Sequence, residues 1–211
     1  MKLKISDKIG SVTGEVTEPK KLKAIFTFAH GAGAPMNHPF MTGMSKELEK
    51  LGIGTFRFNF PYMEAGKGRP DTPAVAHQAI ESATSYVHKE YPKVPLFLSG
   101  KSFGGRMSSQ YLAKFQPDFV SGIAFFGFPL HAAGQPSIER ADHLKEIKVP
   151  MLFLQGTRDS LADWELITQV TEGLPKATLV KFEGADHSFK AGKNNLLPGI
   201  AQAVSEWVTK L

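Results

Sequence analysis

Short apolar runs alternate with longer segments of helical spacing along most of the chain. The runs "LKAIFTFAH" (22–30), "IGTFRFNF" (53–60), "VPLFLS" (94–99), "VSGIAFFG" (120–127), "VPMLFLQG" (149–156) and "ATLVKFE" (177–183) are rich in β-branched and aromatic residues and predict strands. Segments 41–52, 72–91, 103–115, 162–174 and 197–211 repeat their apolar residues with helical spacing and predict helices. In the second of these, Thr72 is expected at the N-cap and Pro73 at the first helical position.

The predicted strands are continuous apolar runs rather than alternating ones. A strand that is apolar on both sides must be covered on both faces, and the intervening helices supply the cover. The pattern therefore predicts a doubly wound, mainly parallel α/β sheet flanked by helices. The N-terminal pieces "LKISD" and "GSVTGEVTE" are expected to add one or two antiparallel strands at an edge. No linker or repeat interrupts the pattern, so residues 1–211 read as one domain. The longest stretch without a predicted element, 128–147, is too short for a separate cap domain.

Composition narrows the chemistry. Hydrophobic residues make up 42% and charged residues 21%, as in ordinary globular proteins. The net charge of +5 comes from scattered residues, and the densest basic cluster is "PKKLK" (19–23). With no basic stripe and no interleaved aromatic residues, no nucleic-acid partner is expected. The absence of cysteine removes thiolate nucleophiles and disulfides from consideration. "MKLKISDKIG" lacks the apolar centre of a signal peptide, and no run approaches the roughly 18 apolar residues of a membrane span. A soluble cytoplasmic protein without a membrane partner is expected.

The stretch "PLFLSGKSFGGR" (95–106) carries two competing signals. "GKS" resembles the end of a phosphate-binding loop, with Lys101 for a phosphate and Ser102 for magnesium. That loop requires a glycine five positions before Gly100, and the chain has Pro95 there, which has no N–H to donate. "GKSFG" also matches G-x-S-x-G, the sharp strand-to-helix turn that presents a serine nucleophile. Here a predicted strand precedes and a predicted helix follows, and Gly100, Gly104 and Gly105 supply the clearance such a turn needs.

A serine hydroxyl needs a base, and the base needs an orienting acid. Asp159 follows the strand "PMLFLQG", and His187 follows the strand "ATLVKFE". Serine, acid and histidine thus fall in the order of one known triad arrangement, each beyond the carboxyl end of its own strand. Glu183 and Asp186 compete for the acid role. Asp186 is adjacent in sequence to His187 and poorly placed to meet its ring, whereas Asp159 approaches from another strand. The oxyanion donors are expected to be the N–H groups of Phe103 and of Ala32, the latter in the small-residue loop "HGAGAPM" with Gly33 as its neighbour. His30 is expected to support that loop. The seven histidines show no metal-binding spacing, so neither a metal nor another cofactor is expected. Met36, Tyr62, Phe128 and His131, with Phe40 and Met63, follow strand ends and are candidate substrate-facing residues. Arg57 is expected to be partly buried and paired.

The segments "AHGAGAPM", "RFNFPYMEAG", "SGKSFGGRM", "FFGFPLH", "LQGTRD" and "GADHSF" together resemble small α/β-hydrolases of the dienelactone-hydrolase-like kind. More narrowly, they resemble the branch that includes a mammalian testis-expressed protein and the hydrolase-like domain of a chromatin-complex subunit. The resemblance runs from about Leu22 to the C-terminus. It implies an α/β-hydrolase fold and a Ser102–Asp159–His187 triad. True dienelactone hydrolases use cysteine where this chain has Ser102, which argues against dienelactone as the substrate. The expected activity is cofactor-free hydrolysis of small carboxylic esters or thioesters through an acyl-enzyme. The alternative is a non-catalytic interaction module that retains the fold.

Overall fold

In a computed structural model describing residues 1–211, the six apolar runs become the parallel strands of one eight-stranded sheet. The elements are β1 (Lys2–Ser6), β2 (Gly10–Thr17), β3 (Ala24–Ala29), α1 (Pro39–Lys50), β4 (Ile53–Phe58), α2 (Pro61–Glu64) and α3 (Pro73–Glu90). They continue as β5 (Leu96–Lys101), α4 (Phe103–Phe115), β6 (Val120–Phe126), β7 (Met151–Gly156), α5 (Trp164–Glu172), β8 (Ala177–Phe182) and α6 (Leu197–Thr209). The strand order is β1-β2-β4-β3-β5-β6-β7-β8. β1 and β2 pair antiparallel at the edge, β2 pairs antiparallel with β4, and every other pairing is parallel.

β3, β4 and β7 are buried at every position, as their continuous apolar runs require. Successive side chains point to opposite faces, so each strand feeds two cores. Ile25, Phe58, Leu98, Phe125 and Phe153 pack on one face with Ile80 and Val87 of α3 and Met107 and Leu112 of α4. Phe26, Phe28, Phe97, Phe126 and Leu154 pack on the other with Met44 and Leu48 of α1 and Val204 and Trp207 of α6. Each such side chain contributes roughly 1.5–3 kcal/mol through burial. No cap domain covers the sheet edge. Within 128–147 the chain forms only a short 3₁₀ helix, Glu139–Glu146.

Helix boundaries follow local capping chemistry. α1 begins at Pro39, before the predicted Met41, because His38 Nδ1 accepts from the Phe40 N–H at 3.2 Å. α5 begins at Trp164 because Asp163 Oδ1 accepts from the Glu165 and Leu166 N–H groups. Thr72 occupies the N-cap of α3 and Pro73 its first turn, but the Thr72 side chain makes no capping bond. No helix is long and apolar enough to cross a membrane.

Candidate active site

β5 passes into α4 through a single residue, Ser102, which adopts φ 51° and ψ −117°. A non-glycine residue at positive φ costs on the order of 1–3 kcal/mol and persists only where its surroundings enforce it. Packing enforces it here. A Cβ on Gly100 would overlap the main chain of Gly104 and Gly105, and a Cβ on Gly104 would overlap the carbonyls of Ala29 and His30. The glycines flanking Ser102 therefore let strand, helix and the loop after β3 meet. The Lys101 ammonium is already engaged, donating to the His187 carbonyl at 2.6 Å.

His187 Nε2 lies 2.8 Å from Ser102 Oγ, and His187 Nδ1 lies 2.7 Å from Asp159 Oδ2. A carboxylate only accepts, so Nδ1 carries the hydrogen and Nε2 is free to accept from the serine. The Asp159 side chain is fully buried, while that of His187 keeps 22% of its surface exposed. Gln155 Nε2 donates to Asp159 Oδ2 at 2.6 Å, and the Leu161 N–H donates to Oδ1 at 2.8 Å. The loops after β7 and β8 are joined by a bond from Arg158 N–H to the Ala185 carbonyl at 2.9 Å. Gly156 permits that contact, because a Cβ there would overlap the Ala185 main chain. The competing acids are occupied elsewhere. Asp186 Oδ1 accepts from the Ser188 and Lys190 N–H groups and shapes the turn that carries His187. Exposed Glu183 pairs with Lys181 at 2.8 Å and accepts from Thr157 Oγ1.

The loop 30–36 is held from beneath. His30 is completely buried; its Nε2 accepts from the Phe60 N–H at 3.0 Å and its Nδ1 donates to the Gly31 carbonyl at 2.7 Å. Burial pushes its pKa down to about 4, against a smaller upward effect of the Gly31 hydrogen bond. The Tyr62 hydroxyl donates to the Ala32 carbonyl at 2.8 Å. Arg57 is buried, donating to the Met36 carbonyl at 3.0 Å and to Glu15 Oε1 at 2.6 Å. Asn59 Oδ1 accepts from the Met36 N–H at 3.0 Å. The Ala32 N–H donates to no protein acceptor. Phe103 opens α4, where the first N–H groups lack intrahelical partners.

The model of the alpha/beta hydrolase domain family matches residues 22–205. The chain belongs to the α/β hydrolases. Among solved structures it is similar to a dienelactone hydrolase from Anabaena variabilis, at 20% identity and a TM-score of 0.79, covering 100% of this chain and 95% of that one. It is similar to a serine hydrolase without a lid from Xanthomonas campestris, at 22% identity and a TM-score of 0.77, covering 100% and 94%. A serine hydrolase homologue from Coxiella burnetii matches at 21% identity and a TM-score of 0.75, covering 100% and 96%. At these identities the likeness is one of fold.

In this α/β hydrolase a cleft of about 530 Å³ opens beside Ser102 and His187, walled by the loop containing Ala32, by Phe40 and by Leu161. Of the residues expected to face substrate, Phe40 lines the cleft and five lie outside its walls. Met63 is partly buried against the core. Tyr62 is 2% exposed and spends its hydroxyl on the Ala32 loop. Phe128 is fully buried against Phe125 and Phe153. His131 is buried, accepting from the Asp163 N–H at 2.8 Å and donating to the Ala132 carbonyl, so it shapes the loop beyond Asp159. Met36 is buried with both main-chain groups engaged. A strand-end position puts a residue at the correct edge of the sheet without setting its direction. Leu161 and Gln155 escape sequence reading because neither bears a reactive group. A larger hollow of about 940 Å³, lined by Lys20, Lys21, Lys23, Lys46 and Lys50, lies at the opposite strand ends; Ser205 is on its wall, but no histidine is there to act as its base.

Proposed function

We propose that this α/β hydrolase is a cofactor-free serine hydrolase acting on small carboxylic esters, with thioesters second and peptides third. The reading is carried by the 2.8 Å approach of His187 Nε2 to Ser102 Oγ at a strained strand-to-helix turn. Ser102 Oγ attacks the acyl carbon while His187 Nε2 takes its proton. Buried Asp159 keeps Nδ1 protonated and favours the imidazolium that forms. The N–H groups of Ala32 and Phe103 receive the oxyanion, near the N-terminus of α4. Collapse of the tetrahedral intermediate breaks the ester bond, and His187 returns the proton to the leaving alcohol. Water then loses a proton to His187 and attacks the acyl-enzyme, releasing the acid and restoring Ser102. The lidless cleft favours small or protruding esters over long-chain lipids. The likeness to serine hydrolases from Xanthomonas and Coxiella supports the reaction class.

Turnover of p-nitrophenyl acetate and fluorophosphonate labelling test this reading. Wild-type protein is expected to label at Ser102, and Ser102→Ala is expected to fold normally and lose activity by at least about 10⁴-fold. Equal turnover in the variant would eliminate Ser102 as the nucleophile, and folded wild-type protein that does not label would favour the non-catalytic module.

A further inference from the structure

Lys101 precedes the nucleophile, and the reaction described above does not use it. Its ammonium lies beside the rings of Phe40 and Phe189, with its nitrogen 5.8 and 5.6 Å from their centroids. Phe189 takes φ 59°, and the two rings stack at 5.8 Å. Gly127 at the end of β6 leaves the room, since a Cβ there would approach the Lys101 nitrogen to 3.1 Å. The charged groups facing the ammonium are Asp159 from the loop after β7 and Asp186 from the loop after β8. From α1 it meets only the ring of Phe40. Its bond to the His187 carbonyl is 2.6 Å long. Besides the Ser102–His187 contact itself, this is the one hydrogen bond from the nucleophile turn to the loop carrying the base. The remaining bonds that shape the turn around His187, from Asp186 and between Arg158 and Ala185, lie on the β7–β8 side.

We propose that Lys101 is a positioning residue that straps the His187 main chain to the nucleophile turn and holds the imidazole within reach of Ser102. The inference rests on the serine-hydrolase reading. A charge-assisted bond to a main-chain carbonyl in a largely desolvated site is strong and directional, which an apolar residue of equal length cannot match. Burial pushes the Lys101 pKa down to about 8, against the upward pull of Asp159 and Asp186. Above that pH the neutral amine keeps a donor but loses both its charge and its attraction to the two rings. The strap therefore weakens on the alkaline side.

Lys101→Met keeps the stem and removes the charge, whereas Lys101→Arg keeps the charge at all accessible pH. The rate of fluorophosphonate labelling at Ser102 would be followed from about pH 6 to about pH 10, with the thermal midpoint measured alongside. Near pH 7 the methionine variant is expected to label roughly ten- to a hundredfold more slowly, because the reacting groups are displaced. Wild-type labelling is expected to decline above about pH 8, and that decline is expected to vanish in both variants. A methionine variant that labels at the wild-type rate, or keeps the same alkaline decline, overturns the proposal. Should that variant not fold, an arginine variant with the wild-type decline overturns it equally. If wild-type protein does not label at all, the hydrolase reading fails, and a crystal structure of Lys101→Met decides the strap separately. His187 shifted by about 1 Å or more supports it, and an unmoved His187 refutes it.

Discussion

Gln155 and His187 donate to the same oxygen of Asp159, Oδ2, at 2.6 and 2.7 Å. Gln155 is itself fixed, because its Oε1 accepts from the Phe128 N–H at 2.9 Å. A buried carboxylate that faces an imidazole is thus oriented by a side chain four residues earlier, at the end of β7. Gln155→Leu would leave one lone pair of Asp159 and one main-chain N–H unpaired in the core. We expect kcat on p-nitrophenyl acetate to fall roughly tenfold with KM little changed, and stability to fall by about 1–3 kcal/mol. Steady-state kinetics and urea unfolding check both.

Gly104 has no room for a methyl group, because a Cβ would overlap the Ala29 and His30 carbonyls. Gly104→Ala is expected to cost about 1–3 kcal/mol and to push the Ala32 loop away from Ser102. Labelling at Ser102 should fall together with the urea midpoint. A variant with wild-type values of both would show that the turn relaxes easily.

The Tyr62 hydroxyl holds the Ala32 carbonyl at 2.8 Å without lining the cleft. Tyr62→Phe keeps the ring in the core and releases the loop. The expected result is a loss of roughly 1 kcal/mol in stability and a severalfold drop in kcat. Unchanged kcat would mean that His30, Arg57 and Asn59 hold the loop without it.

Acid sensitivity follows from two imidazoles, one buried and one partly buried. Burial pushes His30 down to about 4. It also pushes His143 to about 4, with Arg106 and His77 adding to the effect and Asp142 opposing it. Between about pH 6.5 and about pH 4 the unfolded chain binds protons that the folded chain does not, so stability falls as pH falls through that window. For His30 alone the loss by about pH 5 is on the order of 2 kcal/mol. His30→Gln can still accept from the Phe60 N–H and is expected to flatten this part of the urea-unfolding profile.

Much of the fold is legible because burial on both faces leaves a direct imprint. An unbroken apolar run such as "MLFLQG" has few other places to go than the middle of a covered sheet. The candidate triad is legible for a related reason. In a parallel sheet the carboxyl ends share one edge, so Ser102, Asp159 and His187 each announce themselves by following a strand. Met36, Tyr62, Phe128 and His131 follow the same rule and yet turn inward, because position along the chain does not set side-chain direction. Lys101 carries a phosphate-site signal in sequence, and its actual partner lies 86 residues away.

By itself the sequence determined which segments must be buried, where strand gives way to helix, and which reactive groups share an edge, since periodicity and glycine placement act over a few neighbours. Only the tertiary structure decided who meets whom: Gln155 behind Asp159, Tyr62 beneath Ala32, Glu15 against Arg57, and Lys101 against His187. These partners depend on the packing angle of elements distant in the chain, and no local pattern encodes that angle.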